Sequence, residues 1–456
     1  MMRISLAEAA NAVHGKLIHA AGAEEKNIQR VEMDSRLVEA GTLFVALSGG
    51  ARDGHDFIPM AAKAGALAVL CEKDCMADLP AIVVEDSKAA MQRLAAYCRN
   101  KWQFPVIGVT GSVGKTSTKD MIASVLQQKY RTHATMGNYN NNLGVPLTIF
   151  AAPEDTQAAV VEMGMNHFGE MHLLSSIVRP DIAVISNIGI AHIENLGSRE
   201  GILKAKCEIF DFMTEQGEAI LLQDGDLLST LKGKLKQHIT WYGIAGETDV
   251  TAKDICPNGL LGTYFKLCAD GKEIPVALPV AGIHMVQNAL AAAAVGLKMG
   301  LTLEEIRTGL ERFSLTKNRM DVIHGPITII NDTYNANPVS VMAALDVLGT
   351  VSGRKVAILG DMGELGEQAE ALHYETGAHA AQAKADVVIA IGELAHAIYE
   401  GAKTAGAGEV YHYPSQELLW EDLNKLLQKG DTVLVKASHA MALEKTVEKI
   451  QGVEEK

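Results

Sequence analysis

Few aromatics, no cysteine cluster, no long apolar run and no excess of positive charge: each of these shortages in the 456-residue chain removes a class of protein. The six cysteines, Cys71, Cys75, Cys98, Cys207, Cys256 and Cys268, are scattered. The only close pair is spaced C-x3-C, and no second pair or histidine cluster completes a zinc site, so they read as reduced thiols. The most apolar stretch, 289–297, is roughly half a membrane span, and Glu8 stands where a signal peptide needs an apolar core, so a cytoplasmic protein without membrane insertion is expected. A net charge of −14 excludes the broad Lys/Arg face that a nucleic-acid protein uses to displace counterions. Any polyanion must therefore be met by a few local cations.

What is present is alanine, glycine and valine in alternating strand-like and helical patterns, at a length that predicts more than one core. The expected class is α/β in three domains: a small N-terminal α/β domain at 1–98, a central phosphate-loop ATPase with a doubly wound, mostly parallel sheet at 99–313, and a C-terminal Rossmann-like domain at 314–456. Strand patterns fall at 41–47, 66–70 and 81–84, then at 106–110, 158–162, 182–187 and 218–222, and finally at 327–331, 355–359, 386–390 and 431–435. No Gly-x-Gly-x-x-Gly follows any strand of the last group, so a dinucleotide fingerprint is absent there.

The organising stretch is Thr110-Gly111-Ser112-Val113-Gly114-Lys115-Thr116-Ser117, where a β-branched run stops at glycines and a helical spacing begins. Backbone N–H groups and a helix N-terminus together attract anionic oxygens. Lys115 is placed to reach the terminal phosphates of a nucleotide and the Thr116 hydroxyl to ligate Mg²⁺. The eight-residue phosphate-loop pattern fails, because Val109 stands where its first glycine belongs and the usable one is Gly111, so the loop is a shortened one. An ordinary strand-to-helix turn is the bland alternative.

Ligands of doubly wound sheets sit outside the carboxyl ends of the strands, and there the sequence puts Glu162, Asn187 and, one loop later, His192. A carboxylate, a neutral imidazole and a hydroxyl are plausible Mg²⁺ ligands. The run Asn138-Tyr139-Asn140-Asn141-Asn142 reads as a loop with side-chain-to-backbone bonds or as a patch for sugar and amide groups. Asp34-Ser35-Arg36 and Asp53-Gly54-His55-Asp56-Phe57 read, alone, as turns.

Together with Val161-Glu162-Met163-Gly164, Ala191-His192-Ile193-Glu194, Lys204-Ala205-Lys206-Cys207-Glu208, Asn318-Arg319-Met320-Asp321, Asn331-Asp332-Thr333-Tyr334-Asn335-Ala336-Asn337-Pro338 and Gly360-Asp361-Met362-Gly363-Glu364-Leu365-Gly366, these segments resemble the Mur ligases, ATP-dependent amide-bond-forming enzymes of peptidoglycan precursor synthesis. The resemblance runs along nearly the whole chain, and a shortened phosphate loop is part of it. It implies addition of D-Ala-D-Ala to UDP-MurNAc-tripeptide through an acyl phosphate, giving ADP and phosphate, by a monomer. It implies an ATP site at Gly111, Ser112, Val113, Gly114, Lys115, Thr116, Ser117, Asn288, Arg319, Asp332 and Asn335, and uridine-substrate contacts at Ser35, Arg36, Asn138, Asn140 and Asn141. Two Mg²⁺ ions would be held by Thr116, Glu162, His192 and Lys206, the last as a CO₂-derived carbamate, and Lys115, Lys206, His192 and Arg319 would serve catalysis. Read from the residues alone, Lys206 is a solvated helix lysine. Met285 follows His284 where the family usually has Asn, which leaves Asn288 as the nucleotide contact of that segment. A phosphotransferase that leaves its product phosphorylated, and a non-catalytic nucleotide-gated binding protein, are the competing classes.

Overall fold

The computed structural model describes residues 4–49, 52–74, 79–225, 227–315 and 317–452; Met1 to Arg3 of the N-terminal reading, and Cys75, lie outside them. Chain contacts group into two units, one of 1–110, 129–184 and 207–218, the other of 111–128, 185–206 and 219–456.

The first unit holds eleven strands: β1 (Ile4–Ser5), β2 (Lys16–Ile18), β3 (Asn27–Ile28), β4 (Arg30–Glu32), β5 (Thr42–Val45), β6 (Ala68–Cys71), β7 (Ala81–Val83), β8 (Val106–Thr110), β9 (Thr132–Ala134), β10 (Ala158–Glu162) and β11 (Ile182–Ile185). Strands β1 and β3 form an antiparallel ribbon. A five-stranded sheet has the order β2-β7-β6-β5-β4, parallel except for β2. A second group runs β9-β10-β8-β11, with β9, β10 and β8 parallel. Val106, Ile107 and Val109 of β8 and all of β10 are buried, as expected of parallel strands covered on both faces. Each such Val or Ile contributes about 1.5–3 kcal/mol.

Within this unit the helix Ser87–Asn100 is riveted by its own last turn. The buried Arg99 donates from Nε to Val178 O at 2.7 Å and from Nη2 to Arg179 O at 2.8 Å, satisfying the carbonyls that end the helix Glu170–Val178. Arg99 also pairs with Asp181, whose Oδ2 accepts the Val106 N–H at 2.8 Å.

The second unit holds β12 (Glu218–Leu222), β13 (His238–Gly243), β14 (Val250–Pro257), β15 (Thr263–Ala269), β16 (Lys272–Leu278), β17 (Asp321–Ile323), β18 (Thr328–Asn331), β19 (Lys355–Gly360), β20 (Val387–Ile391), β21 (Glu409–Tyr413) and β22 (Thr432–Lys436). Strands β12 to β16 lie side by side in chain order, and β14, β15 and β16 are antiparallel. This three-strand ribbon departs from the mostly parallel sheet expected for the central region. Its cause is local: Asp270 and Gly271, with φ of 50° and 71°, make the tight two-residue turn that joins antiparallel strands. The sheet β17-β18-β22-β19-β20-β21 is parallel apart from β17, the Rossmann-like arrangement expected of the C-terminal region. Burial pushes the thiols of Cys98 and Cys207 up to about 12, keeping both protonated. Among the described residues no helix is long and apolar enough to cross a membrane.

Candidate functional site

Strand β8 runs into Gly111, and from there the loop to Gly114 is pinned by the pair Ser186-Asn187. Asn187 Oδ1 accepts the Val113 N–H at 2.9 Å, its Nδ2 donates to Val113 O at 2.8 Å, and Ser186 Oγ donates to the same oxygen at 2.7 Å. Two positions demand glycine. A Cβ on Gly111 would stand 2.0 Å from Ser186 Oγ, and Gly114, at φ +79°, would carry one 3.0 Å from Asn288 Oδ1. Gly114 opens the helix Lys115–Leu126 without a side-chain cap, so the first N–H groups of that helix stay available to an anion. Thr116 and Ser117 are buried in its first turn, and the buried Ser112 Oγ has no hydrogen-bond partner.

Two lysines converge on this loop. Lys115 Nζ donates to Gly111 O at 3.0 Å and Lys206 Nζ to the same oxygen at 2.9 Å. Lys206 lies in the last turn of the helix Arg199–Cys207 and is 1% exposed, which overturns the solvated lysine that its residues alone suggest. Burial, with Lys115 nearby adding repulsion, drives its pKa well below the ordinary lysine value, so the amine is held toward its neutral form.

In the first unit Glu162 ends β10 and is 1% exposed. Asn140 Nδ2 donates to its Oε1 at 2.8 Å and its backbone N–H donates to Thr135 Oγ1, while Oε2 has no partner. A buried carboxylate oxygen without a donor is a hard oxygen ligand of the kind that suits Mg²⁺. No group of three His, Cys, Asp or Glu forms a metal cluster among the described residues.

Asn141 behaves differently from Asn140. Its Oδ1 accepts the N–H groups of Leu143 and Gly144 at the start of the helix Gly144–Phe150, the local side-chain-to-backbone role. Asn138 is exposed and accepts the Asn140 N–H through its carbonyl. Arg36 is exposed, and its guanidinium grips Asp34 at 2.6 and 2.9 Å, holding that carboxyl down to about 2; Ser35 lies between them. The buried His55 donates from Nδ1 to Asp53 Oδ1 at 2.7 Å and accepts the Glu72 N–H at Nε2, which fastens the second polar cluster as a turn.

In the second unit the ends of β18 and β22 meet. The buried Asp332 accepts from Lys436 Nζ at 2.6 Å through Oδ2 and from the Met320 N–H through Oδ1. Lys436 Nζ also donates to Asn335 O at 2.9 Å. Asn318 and Met320, both left-handed at φ of 65° and 53°, turn Arg319 onto Tyr334, with its guanidinium carbon 3.7 Å from the ring centroid and Nε buried without a partner. Asn337 caps the helix Pro338–Gly349 and swaps hydrogen bonds with Ser340.

Three contacts bring these C-terminal loops onto the segment that follows the phosphate-loop anchor. A Cβ on Gly189 would lie 3.2 Å from Ser112 Cβ and 3.8 Å from Val339 Cγ2. His192 Nδ1 lies 2.6 Å from Glu364 Oε2. A Cβ on Gly366 would lie 3.4 Å from Glu194 Cβ. Asn288 is buried against Gly114 and donates to Met285 Sδ at 3.6 Å, so the sulfur occupies part of the amide's hydrogen-bonding capacity.

Of the second unit's candidates, Gly111 to Ser117, Lys206 and Asn288 gather around one loop and Arg319, Asp332 and Asn335 around one pair of strand ends, while His192 stands against Glu364. Reading the sequence missed Lys436 and Glu364. Lys436 carried a signal, a charged residue ending an apolar strand; Glu364 carried none beyond its place in a polar loop.

A shortened phosphate loop feeding a helix, together with a Rossmann-like sheet whose strand ends carry an arginine and an aspartate, defines a nucleotide-binding α/β protein built for phosphoryl chemistry. Comparison with known proteins makes the class specific. The Mur ligase middle domain matches 109–296, the Mur ligase glutamate ligase domain 318–439 and the Mur ligase family catalytic domain 27–102. The UDP-N-acetylmuramoyl-tripeptide–D-alanyl-D-alanine ligase of Bacillus subtilis (strain 168) is 40% identical over 432 residues, 93% of each chain. A crystal structure of MurF from Acinetobacter baumannii superimposes with TM-score 0.91 at 34% identity over 99% of each chain. MurF from Thermotoga maritima in complex with ADP does so with TM-score 0.83 at 30% identity, over 94% of this chain and 98% of that one. The chain belongs to the Mur ligase family, with that family's three-domain α/β architecture.

Proposed function

We propose that the chain is an ATP-dependent ligase that joins D-alanyl-D-alanine to UDP-N-acetylmuramoyl-tripeptide, with ADP and phosphate as the other products, in peptidoglycan precursor synthesis. The relatives of the same length carry that name. The observation that carries the chemistry is the convergence of Lys115 and Lys206 on Gly111 O, at the mouth of a helix whose N-terminal amides are uncapped.

The γ-phosphoryl group of ATP passes to the terminal carboxylate of the tripeptide. The amine of the dipeptide then attacks the acyl carbon and phosphate leaves. Two anions approach one another in the first step, so positioning and charge neutralisation supply most of the catalysis. The amides of Gly111 to Ser117 cradle the phosphates, Lys115 screens the terminal ones, Asn288 braces Gly114, and Arg319 with Asp332 and Asn335 meets the nucleotide from the C-terminal sheet. Bound Mg²⁺ supplies a Lewis acid for the phosphoryl oxygens. Thr116, Glu162, His192 and Lys206 would hold it, for two ions. Lys206 serves as a carbamate: CO₂ adds only to a neutral amine, and the burial of Lys206 supports that form. Ser35, Arg36, Asn138 and Asn140 face the uridine substrate, and Asn141 shapes that loop. The domains on this reading are 1–98 for the uridine substrate, 99–313 for ATP and 314–456 for completing the site, in a cytoplasmic monomer.

Phosphate release tests the reaction. ADP and free phosphate should appear only when UDP-MurNAc-tripeptide and D-Ala-D-Ala are both present. Phosphate released without the dipeptide, or a phosphorylated product that accumulates in its presence, would sink the ligase reading.

A further inference from the structure

Three hydrogen bonds lash the segment 318–320 to the segment 331–334. The Tyr334 N–H donates to Asn318 O at 3.1 Å, Asn331 Nδ2 donates to Asn318 Oδ1 at 3.0 Å, and the Met320 N–H donates to Asp332 Oδ1 at 3.1 Å. Arg319 sits between the two anchored residues, both in left-handed backbone, which is uncommon for side chains with a Cβ and persists where surrounding structure enforces it. Tyr334 is fixed from its own side. The buried Asn331 accepts the Thr333 N–H and hydroxyl through Oδ1, at 3.3 and 2.8 Å, and the His439 ring stands 5.9 Å from the Tyr334 ring, centroid to centroid. All of this backbone converges on one contact, the Arg319 guanidinium carbon 3.7 Å from the Tyr334 ring centroid.

Elsewhere in the chain Arg36, Arg99 and Arg354 each grip a carboxylate, that of Asp34, Asp181 and Asp431 respectively. Arg319 pairs with none among the described residues, and its buried Nε has no acceptor. A carboxylate would neutralise a guanidinium and occupy its fork of donors. An aromatic face holds the cation through the ring quadrupole and leaves the donors to an anion. We infer that Tyr334 is a positioning residue for Arg319: its ring carries the guanidinium as an uncancelled charge, with donors left for the phosphates of the nucleotide. The inference rests on the ligase reading for the nucleotide as the anion, but not for the stack itself.

A double-mutant cycle tests it, read as the dissociation constant of a non-hydrolysable ATP analogue with Mg²⁺, so that no turnover is needed. Tyr334→Leu should weaken binding about 3- to 30-fold, the scale of a partly desolvated cation on an aromatic face. Tyr334→Phe, which keeps the ring, should restore most of that loss. In an Arg319→Ala background Tyr334→Leu should cost less than about twofold, because its route through the guanidinium is gone. A merely structural loss would persist there in full. Thermal melts check the fold of each variant, and Tyr334→Met stands in should Tyr334→Leu not fold. A folded Leu or Met variant that binds the analogue as the native chain does, a Phe variant as weak as the Leu one, or an undiminished loss in the Arg319→Ala background overturns the proposal. Failure of the ligase reading would show elsewhere, as native-enzyme phosphate release that ignores one of the two substrates.

Discussion

Lys206 and Lys115 direct their Nζ atoms at one carbonyl oxygen, Gly111 O, at 2.9 and 3.0 Å. Two amines on one acceptor cannot both keep their charge cheaply, and the fully buried one gives way: it is the Lys206 pKa that burial and its neighbour depress. The loop carbonyl therefore sits between two lysines, one of them held toward its neutral form.

A lysine neutral in the folded state binds fewer protons than it does unfolded, so native stability rises with pH from the depressed folded value up to the ordinary value of 10.5. Lys206→Met keeps the volume and deletes the amine. Its melting temperature should exceed that of the native chain at pH 7, and the difference should shrink as the pH approaches 10.5. Calorimetry across that window decides; a pH-independent difference would mean that Lys206 is charged when folded.

Lys206→Ala should lose about a hundredfold or more in kcat, the scale for removing one charge-stabilising group from an active site. Acetate or formate, diffusing into the vacated space, should return part of the activity, because either supplies the carboxylate that a carbamate would. Rescue by methylamine and not by acetate would point to an amine as the working group.

Lys115→Ala leaves the loop backbone in place and removes the cation from the terminal phosphates. Turnover should fall by roughly 10²–10³. The melting temperature should hardly move, since a strand-end loop adds little to either core. Steady-state kinetics with a thermal melt on the same sample checks both halves.

Lys436 and Asp332 form a buried pair with side chains 3% and 12% exposed. Breaking such a pair from one side leaves an uncompensated charge, so Lys436→Ala should destabilise by about 3–5 kcal/mol in urea unfolding. The double substitution Lys436→Met with Asp332→Leu should recover most of that loss while remaining inactive. An equally unstable double variant would show that the pair itself, not the orphaned charge, stabilises the strand ends.

The parts legible in the sequence were those governed by neighbours along the chain. Strand β8, its glycines and the helix after them follow from a β-branched run, two turn residues and apolar spacing, and β10, β18, β19 and β22 were likewise found within a residue of their bounds. The short strands β9 and β17 escaped because three residues carry too little pattern. Lys206 was misjudged from its residues because burial comes from distant chain, its acceptor lying 95 positions away. The Lys436–Asp332 pair, 104 positions apart, and the His192–Glu364 contact are of the same kind: the side chains are ordinary, and only the fold makes them partners.

Arg99 binds the end of one helix to the carbonyls of another, and Asp181 passes the connection to the first amide of β8. Fraying β8 would cost Asp181 its bond to the Val106 N–H and expose the buried Val106, Ile107 and Val109, so local opening there costs much of what opening the unit costs. In deuterated water the amides of Val106 to Thr110 should accordingly exchange only through global unfolding of the first unit, keeping pace with Val178 and the strand ends around it. The strand that leads into Gly111 is then among the least fluctuating parts of the first unit, a fixed footing for the turn that follows it.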